Sequence, residues 1–259
     1  MSLNFSSITK LTLTALSAAA LVACGGGDDD KAPPVPLSSE CAPPTTLLTA
    51  TSNYRVNYLD GASAVRNEVL VINEPVEFDG RQVIRDRAAG RSTYSAPADK
   101  SGRILYDTSE QYYVWNTGGS RNIYGSVATE KWDHSVEEGP HWRAAEHLTP
   151  AVVNNDYTPL EPGQRYDTPI NGKLLETVDG VTTSYVLNSS KRHTYVGQEV
   201  ISVPAGNLLT CKFAREPGDG TVLQEWYQHG TGTLVRRTNV NAQGVVVSDE
   251  QLINTTGFR

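Results

Sequence analysis

The chain has little sulfur and no excess of positive charge. Its 259 residues include one methionine, the initiator, three cysteines and four phenylalanines. Lysine and arginine number 22 against 29 aspartates and glutamates, a net charge of −7. That sign is wrong for a grip that releases counterions from nucleic acid, so a nucleic-acid partner is not expected. No Gly-x-Ser-x-Gly elbow, phosphate-cradling Walker loop, dinucleotide fingerprint or His-Glu-x-x-His pair occurs. Nothing nominates a catalytic residue, a metal ligand set or a cofactor, and the expectation is a protein that is not an enzyme. No Cys-x-x-Cys occurs either, which removes the usual redox-active pair.

The first charge is Lys10, followed by an apolar run from Leu11 to Ala23, about 13 residues long. A membrane-spanning helix needs about 20 residues, so this run matches the core of a cleaved secretion signal, residues 1–23. It ends in Leu21-Val22-Ala23-Cys24, which resembles the lipobox of bacterial lipoproteins. The resemblance implies diacylglycerol on the Cys24 sulfur and a further acyl chain, such as palmitate, on its nitrogen. Several acyl chains, at about 0.8 kcal/mol per buried methylene, make a durable anchor where one is marginal. The residue after Cys24 is Gly25, not Asp, and by the same resemblance this sorts the protein to the outer membrane, on its periplasmic face. Cleavage would remove Lys10, the only charge before Cys24, and take the net charge from −7 to −8. The membrane is then reached through the lipid and not through the domain's own charge.

Residues 24–44 run through three glycines, three aspartates and five prolines, Pro33, Pro34, Pro36, Pro43 and Pro44. Such a mixture stays solvated and extended at about 3 Å per residue, which reads as an acylated tether. With Cys24 lipidated, Cys41 and Cys211 remain as an even pair in an oxidising compartment, and a disulfide between them is the natural inference. It would close a loop of roughly 170 residues, for which chain entropy allows at most about 5 kcal/mol.

Residues 45–259 read as one β-rich domain. Asp179-Gly180 between Leu174–Val178 and Val181–Leu187 is the strongest hairpin signal, because a type I′ turn needs positive φ at both central residues. Leu209–Glu216 then faces Thr221–His229 across Pro217–Gly220, Gly230-Thr231-Gly232 turns into Leu234–Val240, and Asn241–Gly244 turns into Val245–Val247. Upstream, residues 68–78, 82–87, 103–108, 111–116 and 121–127 alternate similarly. Residues 129–166 break the pattern and read as an excursion, with a short helix around Trp142–Leu148 followed by a loop at Pro159 and Pro162.

Val203-Pro204-Ala205-Gly206, Cys211-Lys212 and Trp226-Tyr227-Gln228-His229-Gly230-Thr231-Gly232, with basic Arg236 and Arg237 beyond, resemble a segment of uncharacterised bacterial envelope lipoproteins. That resemblance implies a curved antiparallel sheet or incomplete β-barrel, distantly similar to the lipoprotein carriers LolA and LolB, and no catalytic residues.

Three constellations offer chemistry. His134, His141 and His147 with Asp133, Glu137, Glu138 and Glu146 hold the densest metal-ligating set, but at spacings that fit no short zinc motif, so a polar surface loop is the reading. Tyr112, Tyr113, Trp115, Trp226 and Tyr227 could stack sugars, yet neighbours on a strand face opposite ways, so Trp226 and Tyr227 cannot line one groove. Arg236 and Arg237 are split likewise. The expectation is a noncatalytic anchored lipoprotein binding an apolar or lipidic ligand in a concave sheet, which requires a wide apolar groove. The alternative is a structural or assembly protein docking another envelope protein through a sheet edge or the 129–166 excursion.

Overall fold

The computed structural model describes residues 34–96, 102–133 and 142–257. Cys24 and the signal segment lie outside the described residues, as do His134, Glu137, Glu138 and His141. Twelve antiparallel strands follow in chain order. They are β1 (Leu48–Tyr58), β2 (Ser63–Phe78), β3 (Arg81–Ala96), β4 (Ile104–Trp115), β5 (Arg121–Trp132) and β6 (Trp142–Asn154). The second half comprises β7 (Arg165–Val178), β8 (Val181–Val203), β9 (Gly206–Glu216), β10 (Val222–Gln228), β11 (Leu234–Val240) and β12 (Val246–Thr256). Each pairs with its sequence neighbours, and β12 pairs back onto β1 to close the barrel. The class is the antiparallel β fold expected, but the wall is closed where an open sheet or incomplete barrel was anticipated. Closure is a pairing of Asn53 with Asn254 and its neighbours, about as far apart as two residues of this domain can be in sequence.

The turns follow from local chemistry. Asp79-Gly80 and Asp179-Gly180 both place an aspartate and a glycine at positive φ, as a type I′ turn requires, and join β2 to β3 and β7 to β8. Val203-Pro204-Ala205-Gly206 is the tip of the long β8–β9 hairpin, and the Ala205 N–H donates to the Leu252 carbonyl of β12 at 3.1 Å. That bond continues the β12 edge past the point where the short β11 ends.

The helix expected at Trp142–Leu148 is not formed. These residues are the first half of β6, paired to β5 from Glu130–Trp142 to Gly125–His147 and to β7 on the other side. Ala144-Ala145-Glu146 favours a helix locally, but two flanking strands supply tertiary pairing that overrides it.

The tether also ends earlier than its composition suggests. Val35 onward belongs to the barrel unit, and residues 35–46 strap one mouth of it. A single 3₁₀ turn, Ser38–Cys41, sits here. Ser38 N–H donates to the Leu160 carbonyl at 3.0 Å, Gly230 N–H to the Glu40 carbonyl at 2.9 Å, and Asn73 Nδ2 to the Pro44 carbonyl at 2.6 Å. Cys41 is bonded to Cys211 on β9, with Cα atoms 5.9 Å apart. Gly232 is required by this strap, since a Cβ there would lie 2.6 Å from the Pro43 backbone.

The outer face of β1 is polar. On β1 the buried Ala50, Ser52, Tyr54 and Val56 alternate with Thr51, Asn53, Arg55 and Asn57 outside. Asn254, Asn53 and Asn67 form a hydrogen-bonded ladder across β12, β1 and β2, with links of 2.7 and 2.9 Å.

Candidate functional site

The wall encloses a cavity of about 520 Å³, lined at the strapped end by Ile123, Leu148, Val152 and Ile170 and across the middle by charged side chains. Apolar clusters sit at both ends. Tyr113, Ile123, Leu148, Val152 and Ile170 pack near the strap, and Val56, Ala64 and Tyr94 near the opposite mouth.

Between them runs a belt of ion pairs. Arg66 on β2 meets Glu68 at 2.8 Å and reaches across β3 to Asp107 on β4 at 2.7 Å. The crossing is possible because the intervening residue is Gly90, where a Cβ would lie 2.5 Å from Asp107 Oδ1 and 2.7 Å from Arg66 Nη2. Glu250 on β12 stands 3.7 Å from Arg66 and 3.4 Å from Arg237 on β11. Glu225 on β10 lies between Arg237, at 2.9 Å, and Arg215 on β9. Arg215 continues to Asp156 at 2.8 Å, on the β6–β7 connection. Asp156 also accepts from Tyr166 at 2.8 Å and lies 3.1 Å from His193 Nδ1. On the other side of the lumen, Arg121 pairs with Asp86 at 3.3 Å and sits among the rings of Tyr113, Trp115 and Tyr157 at 4.8–5.5 Å.

The belt separates its carboxylates electrostatically. Burial works against ionisation of Asp156, yet Arg215, His193 and Tyr166 hold it well below the usual carboxylate range. Glu225 is also lowered, with Arg215 and Arg237 outweighing its burial. Asp107 and Glu250 go the other way, because desolvation outweighs Arg66 for the first and Arg237 with Arg66 for the second. Four buried guanidinium N–H groups, Nε of Arg66, Arg103, Arg121 and Arg215, have no hydrogen-bond acceptor among the described residues, nor has Asp107 Oδ1 a donor. Of these arginines, Arg66, Arg121 and Arg215 line the cavity and Arg103 does not.

The five aromatics Tyr112, Tyr113, Trp115, Trp226 and Tyr227 do not assemble into one platform, in line with the alternation of neighbouring strand residues. Tyr113 is fully buried in the core, whereas Tyr112 stacks outside on Phe78 at 4.1 Å. Trp226 lies on the outer wall between Lys212, at 4.7 Å, and Arg236, at 5.3 Å. Tyr227 turns inward and donates to Glu225 at 3.0 Å. The two basic neighbours divide as the alternation requires, Arg236 pairing outside with Asp249 at 2.8 Å and Arg237 joining the belt. The described members of the histidine set also diverge, for Glu146 accepts from Ser126 in the lumen while His147 faces Asp79 outside at 2.9 Å. Among the described residues no group of three His, Cys, Asp or Glu side chains is placed to hold a metal ion.

Sequence reading missed Arg66, Arg121, Arg215, Asp156 and Glu225 altogether. Their one local signal is an inverted alternation, visible in Val65-Arg66-Asn67-Glu68-Val69, where the charged residues face in and two valines face out. Asp156 and His193, 3.1 Å apart, make a carboxylate–imidazole pair inside the lumen.

No family model matches the chain, and no curated protein matches it. Among solved structures, it is similar to a β-barrel-like protein of the domain of unknown function DUF1849 from Brucella abortus. That match has 9% identity, covers 82% of this chain and 98% of the other, and has a TM-score of 0.46. A second similar structure, from Parabacteroides distasonis and provisionally described as a lipoprotein, has 11% identity, covers 86% and 100%, and has a TM-score of 0.37.

Proposed function

We propose that this chain is a noncatalytic lipoprotein, anchored by acylated Cys24 to the periplasmic face of the outer membrane, whose closed barrel holds a small amphiphile. The resemblance of Leu21-Val22-Ala23-Cys24 to a lipobox supports attachment through a lipid. The wide apolar groove that a pure lipid carrier needs is replaced by a charged belt, so the ligand has a polar end. The observation that carries this reading is the cavity lining itself, which sets Arg66, Arg121 and Arg215 beside Ile123, Leu148 and Ile170. A carboxylate or phosphate monoester on a short alkyl tail supplies both the acceptors and the apolar body, and the cavity lies within the roughly 300–1,000 Å³ of small-molecule sites.

The test is thermal unfolding of the protein with sodium decanoate and, separately, with decanol, which has the same tail and no anionic head. Binding predicts a rise in midpoint with decanoate that exceeds the rise with decanol, since a ligand at 100 times its Kd adds about 2.7 kcal/mol. Leu70→Trp, at a cavity-lining position outside the buried clusters, should abolish that difference. Equal responses to both probes, or a decanoate effect unchanged in Leu70→Trp, would overturn the reading.

A further inference from the structure

β7, β8 and β9 form one side of the lumen, and their register gathers three basic side chains on its inner face. Lys191 and His193 flank Arg192 on β8, so both face inward with the buried Tyr195, while Arg192 pairs outside with Asp167 at 2.9 Å. Lys191 stands opposite Thr168 of β7, and His193 opposite Arg215 of β9. All four of these inward residues line the cavity.

Two of the three basic groups are already engaged. Arg215 meets Asp156 at 2.8 Å and also pairs with Glu225. His193 Nδ1 lies 3.1 Å from Asp156, and the Tyr166 ring stacks on the imidazole with centroids 4.8 Å apart. The other cavity-lining guanidiniums are matched as well, Arg66 by Asp107 at 2.7 Å, Arg87 by Glu110 at 3.6 Å, Arg121 by Asp86 at 3.3 Å and Arg237 by Glu225 at 2.9 Å. Lys191 forms no ion pair and no side-chain hydrogen bond with any described residue. It also borders the apolar end of the cavity. Ile170 follows Thr168 on the same face of β7, and Leu187, four residues before Lys191 on β8, packs against the cluster of Ile170, Leu148 and Ile123.

We infer that the lumen takes an aliphatic monocarboxylate, with its head on Lys191 Nζ and its tail along Leu187, Ile170 and Leu148. This rests on the reading of the barrel as the holder of a small amphiphile and narrows that reading to one headgroup. An ammonium set between an apolar cluster and charges that are already paired is matched by an anionic acceptor, and the bond between them is charge-assisted. A carboxylate brings one negative charge to the one unmatched cation among the described cavity-lining residues. A phosphate monoester carries about −1.5 to −2 at pH 7. Its surplus charge would face Asp156 across His193, and Arg215, His193 and Tyr166 keep that carboxylate ionised.

The test is calorimetric titration of the protein with sodium decanoate, decyl phosphate and decanol, in wild type, Lys191→Gln, Lys191→Arg and Lys173→Gln, Lys173 being exposed on the outer face of β7. Wild type should bind decanoate more tightly than either other probe. Lys191→Gln should weaken decanoate about tenfold to a hundredfold, the loss of one hydrogen bond to a charged group, and leave decanol unchanged. Lys191→Arg and Lys173→Gln should bind decanoate as wild type does. As a second readout, a water-soluble carbodiimide added to the decanoate complex should join the ligand carboxylate to Lys191 Nζ as an amide, the water lost being taken up by the carbodiimide as its urea. Peptide mass spectrometry should then place the label on Lys191. Equal decanoate affinity in wild type and Lys191→Gln, tighter binding of decyl phosphate, or a label on another lysine would overturn this inference and leave the lumen ligand standing. Equal binding of decanoate and decanol by wild type would overturn the lumen reading itself, and this inference with it.

Discussion

Asp156, on the connection between β6 and β7, accepts a charge-assisted hydrogen bond from Arg215 of β9 at 2.8 Å and is 1% exposed. This one contact fastens the loop closing the strapped mouth to the far wall of the lumen. Breaking a buried ion pair from one side leaves the other charge uncompensated, which costs about 3–5 kcal/mol. Asp156→Ala should therefore lower the unfolding free energy by that order in denaturant titrations. A loss below about 1 kcal/mol would show that Arg215 is satisfied by Glu225 alone.

The belt also sets the response to acid. Asp156 and Glu225 have folded pKa values below their unfolded ones, with burial outweighed by their arginines. Their contribution is present above the unfolded carboxylate range and is lost as pH falls through it toward the folded values. Asp107 and Glu250 are raised by burial. For these the folded state takes up the proton first, so lowering pH through their folded values adds stability. The expected thermal midpoint rises modestly as pH falls from neutral into the upper carboxylate range, then drops steeply below about pH 4. Asp107→Asn should remove part of the rise and leave the acid drop; a midpoint that falls monotonically from pH 7 in both proteins would contradict the assignment.

The strap depends on Cys41–Cys211. Replacing both cysteines by serine should cost about 2–5 kcal/mol, because the disulfide closes a long loop in the unfolded chain. The loss should be accompanied by faster hydrogen exchange at Gly230 and Ser38, whose N–H groups bond to Glu40 and Leu160. Unchanged exchange at both amides would mean that the hydrogen bonds hold the strap without the covalent link.

Gly125 is fixed by crowding on the outer wall. A Cβ there would lie 2.3 Å from the Glu146 carbonyl and 2.8 Å from the Phe78 ring. Gly125→Ala must shift backbone, and a destabilisation of about 1–3 kcal/mol is expected from the overpacking. Loss of the Phe78–Tyr112 stacking, read as a change in near-ultraviolet circular dichroism, should go with it.

The proposed membrane attachment rests on Cys24. Cys24→Ser removes the thiol that would carry the acyl chains and should move the protein from the membrane pellet to the soluble fraction. Retention in the pellet would count against the lipid anchor.

Most strands were legible because their signals are local. Asp179-Gly180 and the turns at 217–220, 230–232 and 241–244 gave the C-terminal meander strand by strand. Closure was not legible, since Asn53 and Asn254 carry no mark of each other. β6 was hidden by Ala144-Ala145-Glu146, where a charged residue faces inward and the alternation disappears. The belt escaped for the same reason. Reading apolar residues as inward places Val65 and Val69 inside and Arg66 and Glu68 outside, the reverse of the actual wall. The opposed fates of Trp226 and Tyr227, and of Arg236 and Arg237, followed from strand geometry alone.

The most direct measurement of the central claim is native mass spectrometry of the protein purified without denaturant. A retained small molecule, released on unfolding with a mass that fits an acidic headgroup on a short apolar tail, is the expected result. A bare protein mass, unchanged after incubation with sodium decanoate, would contradict a ligand in the lumen.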